Sequence, residues 1–464
     1  MPRVVIVGAG LSGLAVAFRL RTAWPSVELT VLESRERTGG NIGTVDRDGF
    51  RVECGPNGFL DNKPGTAQLC RDLGLGERMI PGSEDARKNR FVFLRDRLHK
   101  LPGSPLGILT TPLLSFAGKL AMLREPFRPK LYQPVSDETV AAFARRRFGR
   151  EAADVFMNAL VTGIHAGDPE RLSVRAAFPR LPKFENENGS VLRGFLAAAK
   201  VKKHEAQSRG EKPAPQRMWS FREGLRVIID TMAERIGSPV STGVRVRSVT
   251  QNPSGSGWIV RGEGRSVWSA DAVVMACPAY EQSVAIADLN ASLAAELAAI
   301  RYNRVVVAAL GYRRSDVTGP QDGFGYIAPE NTRRDILGVQ WCSSIFPERA
   351  PPGMVLWRVL CGGVNRADVF DWDDDTLTQA CHREMQHAMG VRGEPVFRQI
   401  VRWPRAIPQY EVGHLERVAK IESAVAMHPG LFVTGNAFHG IAMNDVTEQA
   451  ALTAANVADY LRRG

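Results

Sequence analysis

A glycine-rich turn near the start of the chain constrains the fold more than any other feature. The apolar residues 4–7 favour a β-strand and run directly into Gly8-Ala9-Gly10-Leu11-Ser12-Gly13. The alanine- and leucine-rich residues 14–22 are predicted to form a helix, and the apolar run 27–32 a second strand. This order of strand, glycine turn, helix and strand predicts a parallel βαβ unit in an α/β fold.

The three glycines of this turn suit a dinucleotide. Gly8 permits the tight turn, Gly10 lets the backbone approach a pyrophosphate, and Gly13 lets helix and strand pack closely. The helix N-terminus offers free N–H groups and the positive end of a dipole to the phosphates. Glu33 follows Gly13 by 20 residues, where an acceptor for ribose hydroxyls is expected. The unit therefore predicts a site for FAD or NAD.

The residues that follow Glu33 distinguish these two dinucleotides. The run Glu33-Ser34-Arg35-Glu36-Arg37-Thr38-Gly39-Gly40-Asn41 resembles the E-x-x-x-R-x-G-G extension of FAD-dependent amine oxidases and related flavoproteins. Gly39 and Gly40 would let the backbone lie close to a second phosphate or to the flavin, and Arg37 would brace that backbone. NAD dehydrogenases do not need this extension, so FAD is favoured and NAD is the minor alternative.

Bulk composition allows several domains and narrows the choice of partners. A chain of 464 residues, 44% hydrophobic and 23% charged, is long enough for two or three domains. Its net charge of +11 fits a basic solvated surface, an acidic substrate or an anionic membrane, and no nucleic-acid-binding module accompanies that charge. We expect a cytoplasmic protein, because the sequence shows no secretory signal, no transit segment and no apolar run of about 18 residues.

The cysteines indicate neither a metal site nor a disulfide framework. They are scattered, without C-x-x-C pairs or histidines at metal-ligand spacing, at Cys54, Cys70, Cys277, Cys342, Cys361 and Cys381. Scattered cysteines of this kind indicate buried free thiols in a reducing compartment.

Residues 104–127 are unusually apolar and are interrupted by Pro and Gly. Lys119, Arg124, Arg128 and Lys130 lie within or beside them. An apolar face with cationic flanks suits peripheral contact with a membrane, and it equally suits a core helix or a cover for an apolar substrate cavity. A helix at 137–148 follows, and its Arg145-Arg146-Arg147 run is expected to form a solvated face.

Two further segments contain glycines placed for close contact with a ligand. The turn Gly55-Pro56-Asn57-Gly58 suits a chain that passes beside a flat ligand. In residues 162–168, after a helix at 151–160, Gly163 and Gly167 would permit an unusual backbone beside a ligand. His165 lies between these glycines and is either an acid–base group or, more commonly, a hydrogen-bonded loop histidine.

The second half of the chain predicts a sheet followed by a second glycine turn. Strands are expected near 304–312, 324–328, 335–344 and 354–361, and their short connections indicate an antiparallel sheet that floors a cavity. At the end of the chain, a strand at 431–434, a glycine-bounded turn at 435–444 and a helix at 445–462 repeat the opening pattern. The N-terminus of that last helix would stabilise the anionic locus of a flavin.

The whole chain resembles one family, the FAD-dependent porphyrinogen oxidases (protoporphyrinogen IX oxidase and coproporphyrinogen III oxidase). The specific segments are the G-I-H-A-G-D sequence at 163–168, the W-P and I-P-Q-Y sequences at 403–404 and 407–410, and the G-N-x-x-x-G-I-x-x-N-D pattern at 435–445. Gly8 to Gly13, Glu33 to Asn41, the 55–59 turn and Asn89-Arg90-Phe91 match as well.

The resemblance implies a fold of three parts. A Rossmann-type, para-hydroxybenzoate-hydroxylase-like FAD domain would consist of 1–85, 216–280 and 401–464. A helical region, membrane-associated or covering the substrate entrance, would occupy 86–215. A substrate domain with a mixed, β-sheet floor would occupy 281–400.

The resemblance also implies the site residues. Arg90, otherwise only a strand-edge arginine in a hairpin at 89–102, matches the proposed partner of a substrate carboxylate. The other candidate substrate residues are Gly163, Gly167, Phe324, Val339 and Leu360. The candidate FAD residues are Gly8, Ala9, Gly10, Leu11, Ser12, Gly13, Glu33, Ser34, Arg37, Gly40, Asn41, Gly55, Pro56, Asn57, Gly58, Val246, Trp403, Gly435, Gly440, Ile441, Ala442 and Met443.

The implied reaction is the six-electron oxidation of a porphyrinogen to a porphyrin in haem biosynthesis. FAD would take up two electrons in each of three rounds, and molecular oxygen would re-oxidise it with release of peroxide. No general base and no metal ligand is assigned. The sequence does not specify an oligomeric state and is compatible with a homodimer. The alternatives are an amine or polyamine oxidase, a carotenoid desaturase and, least favoured, a non-catalytic flavin- or porphyrin-binding protein.

Overall fold

A computed structural model describes residues 1–103, 105–130, 137–208, 210, 215–253, 255–332 and 334–463. Its strands are β1 Arg3–Val7, β2 Glu28–Leu32, β3 Thr44–Arg47, β4 Phe50–Glu53, β5 Phe59–Leu60, β6 Met79–Pro81, β7 Arg90–Leu94, β8 Arg97–Lys100, β9 Met218–Phe221, β10 Val240–Ser241, β11 Val246–Gln251, β12 Trp258–Gly262, β13 Val267–Ala270, β14 Ala272–Met275, β15 Val305–Arg313, β16 Gly325–Ile327, β17 Ile336–Gln340, β18 Met354–Gly362, β19 Phe397–Trp403 and β20 Leu431–Val433. Its α-helices are α1 Leu11–Ala23, α2 Gly65–Asp72, α3 Glu84–Lys88, α4 Pro105–Thr110, α5 Phe116–Leu123, α6 Val140–Phe148, α7 Arg150–Ala152, α8 Asn158–His165, α9 Val174–Ala177, α10 Arg180–Asn188, α11 Val191–Ser208, α12 Arg226–Arg235, α13 Ala279–Ala285, α14 Ala291–Ala298, α15 Cys342–Ile345, α16 Asp374–Met389, α17 His414–Ala426 and α18 Met443–Arg463.

The predicted βαβ unit is confirmed and forms the centre of a parallel sheet. The order of strands is β10-β2-β1-β14-β20, with β1 paired to β2 from Arg3 opposite Glu28 to Val7 opposite Leu32. One face packs against α1, α12 and α18, and the other against α14 and α17. Helix α1 begins at Leu11, three residues before the predicted start, because Gly10 already serves as its N-cap. The α/β fold class is therefore correct.

A seven-stranded mixed sheet lies beyond the parallel one, in the order β19-β15-β18-β17-β16-β7-β8. Antiparallel pairs dominate it, as predicted, and β7 pairs with β16 in parallel. One face packs against the apolar side of α16. The hairpin β7–β8 and the whole of β19 belong to this sheet. The domain ranges given above place the hairpin in the helical region and divide β19 after residue 400, and those ranges stay a prediction.

A helical region built from α4 to α11 surrounds a buried ion pair. The expected solvated face at 145–147 is wrong for Arg147, whose side chain is fully buried and donates to Glu125. Glu125 also accepts from the backbone N–H groups of Val191 and Leu192 at the start of α11. Consecutive helix positions point about 100° apart, so a run of three arginines cannot remain on one solvated face. Of the three arginines, only Arg145 is exposed.

The apolar stretch 104–127 forms α4 and α5 with several exposed large side chains; residue 104 lies outside the described residues. Phe116 is 83% exposed, Phe127 81% and Leu123 53%. Across the described parts of the chain, no helix combines the length and the apolar character required to span a membrane. All six cysteines are free thiols; five are buried, as expected, and Cys277 is half-buried.

Candidate functional site

A cavity of about 670 Å³ lies between the parallel sheet and the seven-stranded sheet. Loops that follow β1, β2 and β14 form one end, at the carboxyl ends of parallel strands. Ligands of open α/β sheets bind at this edge. The other end is formed by side chains of β15, β17 and β18, among them Val307, Gln340 and Leu360.

The glycine turn has the geometry that its spacing predicts. Gly8 has a φ of +105°, and a Cβ on Gly13 would lie only 1.9 Å from the carbonyl oxygen of Gly8. A Cβ on Gly10 would meet nothing closer than the Cα of Gly40 at 3.8 Å. Gly13 is therefore required for packing, whereas Gly10 leaves open space at the cavity wall for a ligand.

Glu33 joins the glycine turn to the end of β2. Its carboxylate is buried and accepts from the backbone N–H of Ala9 and of Arg35, each at 2.9 Å. A carboxylate has about four lone-pair sites. Glu33 lines the cavity and keeps acceptor capacity for ribose hydroxyls.

Arg37 lies behind the backbone that it was predicted to brace. Its guanidinium donates to the carbonyl oxygens of Thr38, Gly40 and Ile42 at 3.1 to 3.2 Å. Burial is the main cause that lowers its pKa, with the neighbouring Arg35 adding to the effect. The brace holds this backbone at the cavity wall without Arg37 itself lining the cavity.

Most of the predicted cofactor residues come together at this cavity. Those that line it are Gly8, Gly10, Leu11, Ser12, Glu33, Ser34, Gly40, Asn41, Gly55, Pro56, Asn57, Gly58, Val246, Trp403, Gly435, Ile441, Ala442 and Met443. The other four, Ala9, Gly13, Arg37 and Gly440, support lining residues from behind. The structure thus unites segments that are more than 400 residues apart in the chain.

Tyr410 holds the turn that precedes α18. Its hydroxyl, part of a buried side chain, donates to the carbonyl oxygen of Asn436 at 2.6 Å and accepts from the N–H of Gly440 at 2.9 Å. Burial raises the pKa of Tyr410, so the hydroxyl stays protonated. The first residues of α18 line the cavity, and their N-terminal dipole favours negative charge there. This helix begins at Met443, two residues before the predicted start.

The turn at residues 55–58 contributes a buried donor without a partner. The Nδ2 atom of Asn57 has none, although Asn57 is only 5% exposed and lines the cavity. The indole of Trp403 donates to the carbonyl oxygen of Cys54 at 2.8 Å and fixes the start of this turn. An orphaned donor at a cavity wall suits a ligand that carries acceptors.

The predicted substrate residues are only partly brought together. Gly163 and Leu360 line the cavity. Val339 lies instead in the core on the opposite face of the sheet, and its neighbour Gln340 takes the place at the cavity wall. Side chains of a strand alternate between faces, so an alignment displaced by one residue selects the wrong face.

Arg90 and Phe324 form a pair outside the cavity lining. The Arg90 guanidinium lies over the Phe324 ring, 4.7 Å from its centroid, and Arg90 is exposed. Phe324 packs against the same small cluster as Met218, which lines the cavity. The pair thus lies beside a cluster that also contacts a residue of the cavity wall, and whether Arg90 binds substrate stays a prediction.

The segment 162–168 is mostly helix, which corrects the predicted loop. Helix α8 extends to His165, and the left-handed residue is Ala166, with a φ of 45°. Gly163 lies within this helix, and a glycine is needed there because a Cβ would meet the Ile327 side chain at 2.6 Å. Gly167 packs against Gln409 and does not line the cavity. Both glycines serve close packing and do not adopt an unusual backbone.

His165 does not act at the cavity. It is 2% exposed, packs edge-on against Phe178 and does not line the cavity. Burial lowers its pKa to about 4, so the ring is neutral at physiological pH. Its Nδ1 atom has no hydrogen-bond partner among the described residues, so the structure supports a core histidine and not an acid–base group at the cavity.

Arg358 is a cavity residue that the sequence did not indicate. It lies on β18, is 2% exposed, and donates to the carbonyl oxygen of Gly55 at 2.5 Å and to Gln340 at 3.2 Å. The only signal in the sequence was the alternation of side chains along the strand. Arg358 lies two residues before Leu360, so the two side chains lie on the same face.

Three observations fit the binding of FAD in this cavity. Open space faces Gly10, a Cβ on Gly435 would meet no atom within 4 Å, and Asn57 offers an unpaired donor. The acceptor Glu33 and the N-terminus of α18 lie at the same cavity. A dinucleotide needs such features at both ends, namely a ribose acceptor with phosphate-binding backbone and donors for the ring system.

Comparison with known proteins agrees with this cavity. The sequence profile of the family described as flavin containing amine oxidoreductase matches residues 11–458. The chain is 31% identical to the chloroplastic protoporphyrinogen oxidase of Nicotiana tabacum, covering 99% of this chain and 86% of that protein. It is 28% identical to the coproporphyrinogen III oxidase of Bacillus subtilis (strain 168), covering 99% and 98%.

Solved structures show the same fold. A crystal structure from Exiguobacterium sp. 255-15, provisionally assigned as a protoporphyrinogen oxidase, has a TM-score of 0.84 at 22% identity and 99% coverage of both chains. Reduced UDP-galactopyranose mutase has a TM-score of 0.72 at 14% identity, covering 99% of this chain and 94% of the other. At such identities the likeness concerns the fold and not the reaction.

Proposed function

The chain belongs to the flavin containing amine oxidoreductases, and we propose that within this family it is an FAD-dependent porphyrinogen oxidase of haem biosynthesis. The observation that carries this proposal is the similarity over nearly the full chain to a protoporphyrinogen oxidase and a coproporphyrinogen III oxidase. The cofactor is FAD, held by the residues that line the nucleotide end and the glycine turns of the cavity.

FAD, when bound, supplies the oxidation, which removes two electrons at a time from the macrocycle and passes them to molecular oxygen as peroxide. The protein binds, orients and shields the reactants. Val305, Val307 and Leu360 provide an apolar floor on the seven-stranded sheet. The turn held by Tyr410 and the start of α18 position the flavin end, and no side chain is assigned as a general base.

Arg90 is the proposed partner of a substrate carboxylate. The Arg90 guanidinium already lies over an aromatic ring, and no carboxylate of the described residues forms an ion pair with it. A free guanidinium binds a propionate bidentately. The residues assigned to FAD and to the porphyrinogen are proposals of this kind, to be tested one by one.

The amine oxidase alternative has less support. Among the described residues that line the cavity, none is a lysine, whereas Arg358 is one of them. A buried cation at the cavity wall opposes the entry of a protonated amine. A carotenoid desaturase would require no carboxylate partner such as Arg90.

The assay uses the purified, FAD-loaded protein with protoporphyrinogen IX and with coproporphyrinogen III. We expect porphyrin fluorescence to rise with one of them, together with three molecules of peroxide for each porphyrin formed. Putrescine and a long-chain polyene serve as controls and are expected to give no peroxide. If the protein turns over neither porphyrinogen, the proposed function is excluded.

We also propose that the exposed apolar side chains of α5 and its flank contact the cytoplasmic face of a membrane. Phe116 and Phe127 are more than 80% exposed, and Lys119 and Arg124 lie between them. Exposed aromatic side chains flanked by cations suit an anionic interface. The double variant Phe116→Glu/Phe127→Glu should lose sedimentation with anionic vesicles and keep its turnover in detergent; equal sedimentation would refute the contact.

A further inference from the structure

Arg358 is a buried arginine without a carboxylate partner. Among the described residues, its guanidinium donates to the carbonyl oxygen of Gly55 and to the side-chain amide oxygen of Gln340, and its Nε atom has no partner. Within the described chain, no carboxylate lies within ion-pair distance of its guanidinium. A buried charge without a counter-charge is costly unless a ligand supplies one.

The buried carboxylate of Glu53, which lies near enough to feel the charge of Arg358, is already occupied. Glu53 is 1% exposed and contacts Arg349 at 3.0 Å. Its carboxylate also accepts from the hydroxyl of Thr44 and from the backbone N–H of Leu225, each at 2.9 Å. Glu53 is therefore the counter-charge of Arg349 and not of Arg358, which leaves an excess of positive charge behind this part of the cavity wall.

A second donor lies in the same part of the wall. Asn57 belongs to the turn whose first residue, Gly55, accepts from Arg358, and its Nδ2 atom is unpartnered. The Cys342 thiol donates to the Oδ1 atom of Asn57 at 3.7 Å, and this contact orients the amide group. Both Arg358 and Asn57 line the cavity.

We propose that Arg358 and Asn57 form a subsite that stabilises negative charge on a ligand at the sheet end of the cavity. The subsite rests on the proposed FAD-dependent function and extends it. Two sources can supply the charge: the bound cofactor, whose reduced form is more negative than its oxidised form, or a carboxylate of the substrate. Arg358 is in addition a positioning residue, because it holds the carbonyl of Gly55.

Two substitutions separate charge from shape. Arg358→Gln keeps an amide donor that can reach the 55–58 turn but removes the charge, whereas Arg358→Lys keeps the charge and loses the planar fork. Arg304→Met is the matched control, because Arg304 is paired with Asp371 and does not line the cavity. Far-ultraviolet circular dichroism and bound-flavin content establish that each variant is folded.

The first measurement is the midpoint potential of bound FAD, titrated spectroscopically without substrate. A unit charge held about 10 Å or less from another in a partly dry cavity changes an equilibrium by roughly tenfold or more. If the cofactor carries the charge, Arg358→Gln shifts the oxidised-to-reduced equilibrium about tenfold toward oxidised FAD, which is about 30 mV for a two-electron couple. Arg358→Lys and Arg304→Met should stay within about threefold of the wild type.

The second measurement is the KM for a porphyrinogen with two carboxylates and for one with four. If the substrate carries the charge, the potential is unchanged and Arg358→Gln raises the KM about tenfold for at least one substrate, with recovery in Arg358→Lys. Unchanged potential together with unchanged KM in Arg358→Gln would overturn the subsite, as would equal losses in the Gln and Lys variants. The potential is measured without porphyrinogen, so its outcome is independent of whether the proposed reaction is correct.

Discussion

Gly13→Ala should destabilise the folded protein and Gly10→Ala should leave its stability almost unchanged, although both change a glycine of the same turn. A Cβ on Gly13 would lie 1.9 Å from the carbonyl oxygen of Gly8, whereas real Cβ contacts stay beyond 3.0 Å. The helix and the first strand would have to separate by more than 1 Å, and the atom in the way is backbone that cannot rotate aside. A Cβ on Gly10 would meet no atom closer than 3.8 Å. The φ of Gly10 is −77°, a value that alanine adopts without strain.

The magnitude follows from these contacts. Overpacking of a core costs about 1–3 kcal/mol, and a clash with backbone belongs at the upper end, so we expect Gly13→Ala to lower the free energy of unfolding by about 3 kcal/mol. Gly10→Ala should change it by less than about 1 kcal/mol, since the lost N-cap preference and the reduced entropy of the unfolded chain oppose each other. Its Cβ would instead occupy the space in which a pyrophosphate approaches the backbone, and FAD affinity should fall more than tenfold.

Urea unfolding of the FAD-free protein measures the first quantity, and quenching of flavin fluorescence on titration measures the second. Both variants should bind FAD poorly, but only Gly13→Ala should also unfold at lower urea concentration. Wild-type stability of Gly13→Ala would refute the packing argument. Wild-type FAD affinity of Gly10→Ala would show that the open space beside Gly10 is not where the phosphates bind.

Three further predictions test residues outside the glycine turn. Tyr410→Phe removes the hydroxyl that bridges two backbone groups of the turn before α18. The loss of about 2 kcal/mol of binding free energy should weaken FAD binding roughly thirtyfold. Unchanged affinity in a flavin titration would contradict that role. Arg90→Ala should raise the KM for porphyrinogen with FAD content unchanged, Arg90→Lys should lie between, and loss of flavin instead would reject the carboxylate role. Burial lowers the pKa of His165 to about 4, so between the ordinary value near 6.5 and pH 4 the unfolded chain binds one more proton than the folded chain. This group therefore lowers stability by about 1.4 kcal/mol per unit as pH falls through that window, and His165→Gln should remove that part of the slope in urea unfolding followed against pH.

Local elements were predictable where the residues that define them are close in sequence. The first βαβ unit needs only the order of apolar runs and glycines, and its observed bounds differ from the prediction by a few residues at most. Residues 162–168 were predicted as a loop because Gly163 and Gly167 would permit an unusual backbone there. Residues 162–165 are helical, and Gly163 packs there against Ile327 on β16, a contact between distant parts of the chain.

The orientation of side chains on the seven-stranded sheet could not be read from local pattern. Val339 and Gln340 are adjacent and belong to a strand that is buried on both faces, so polarity did not indicate which of them faces the cavity. The pairing of β17 with β18 decides it, by placing Gln340 opposite Arg358. Likewise, Arg147 meets Glu125 only because α6 packs beside the start of α11.

The sequence by itself determined the class of cofactor and the backbone that holds it. Phosphate recognition uses main-chain N–H groups, tight turns and one acid, all specified within about forty residues. Only the tertiary structure decided which side chains complete the cavity, because strand register and helix packing bring together residues such as Gly55 and Arg358, 303 positions apart. It also revealed that Arg358 has no carboxylate partner in the described chain, since a missing counter-charge is a property of three-dimensional neighbours and not of sequence order.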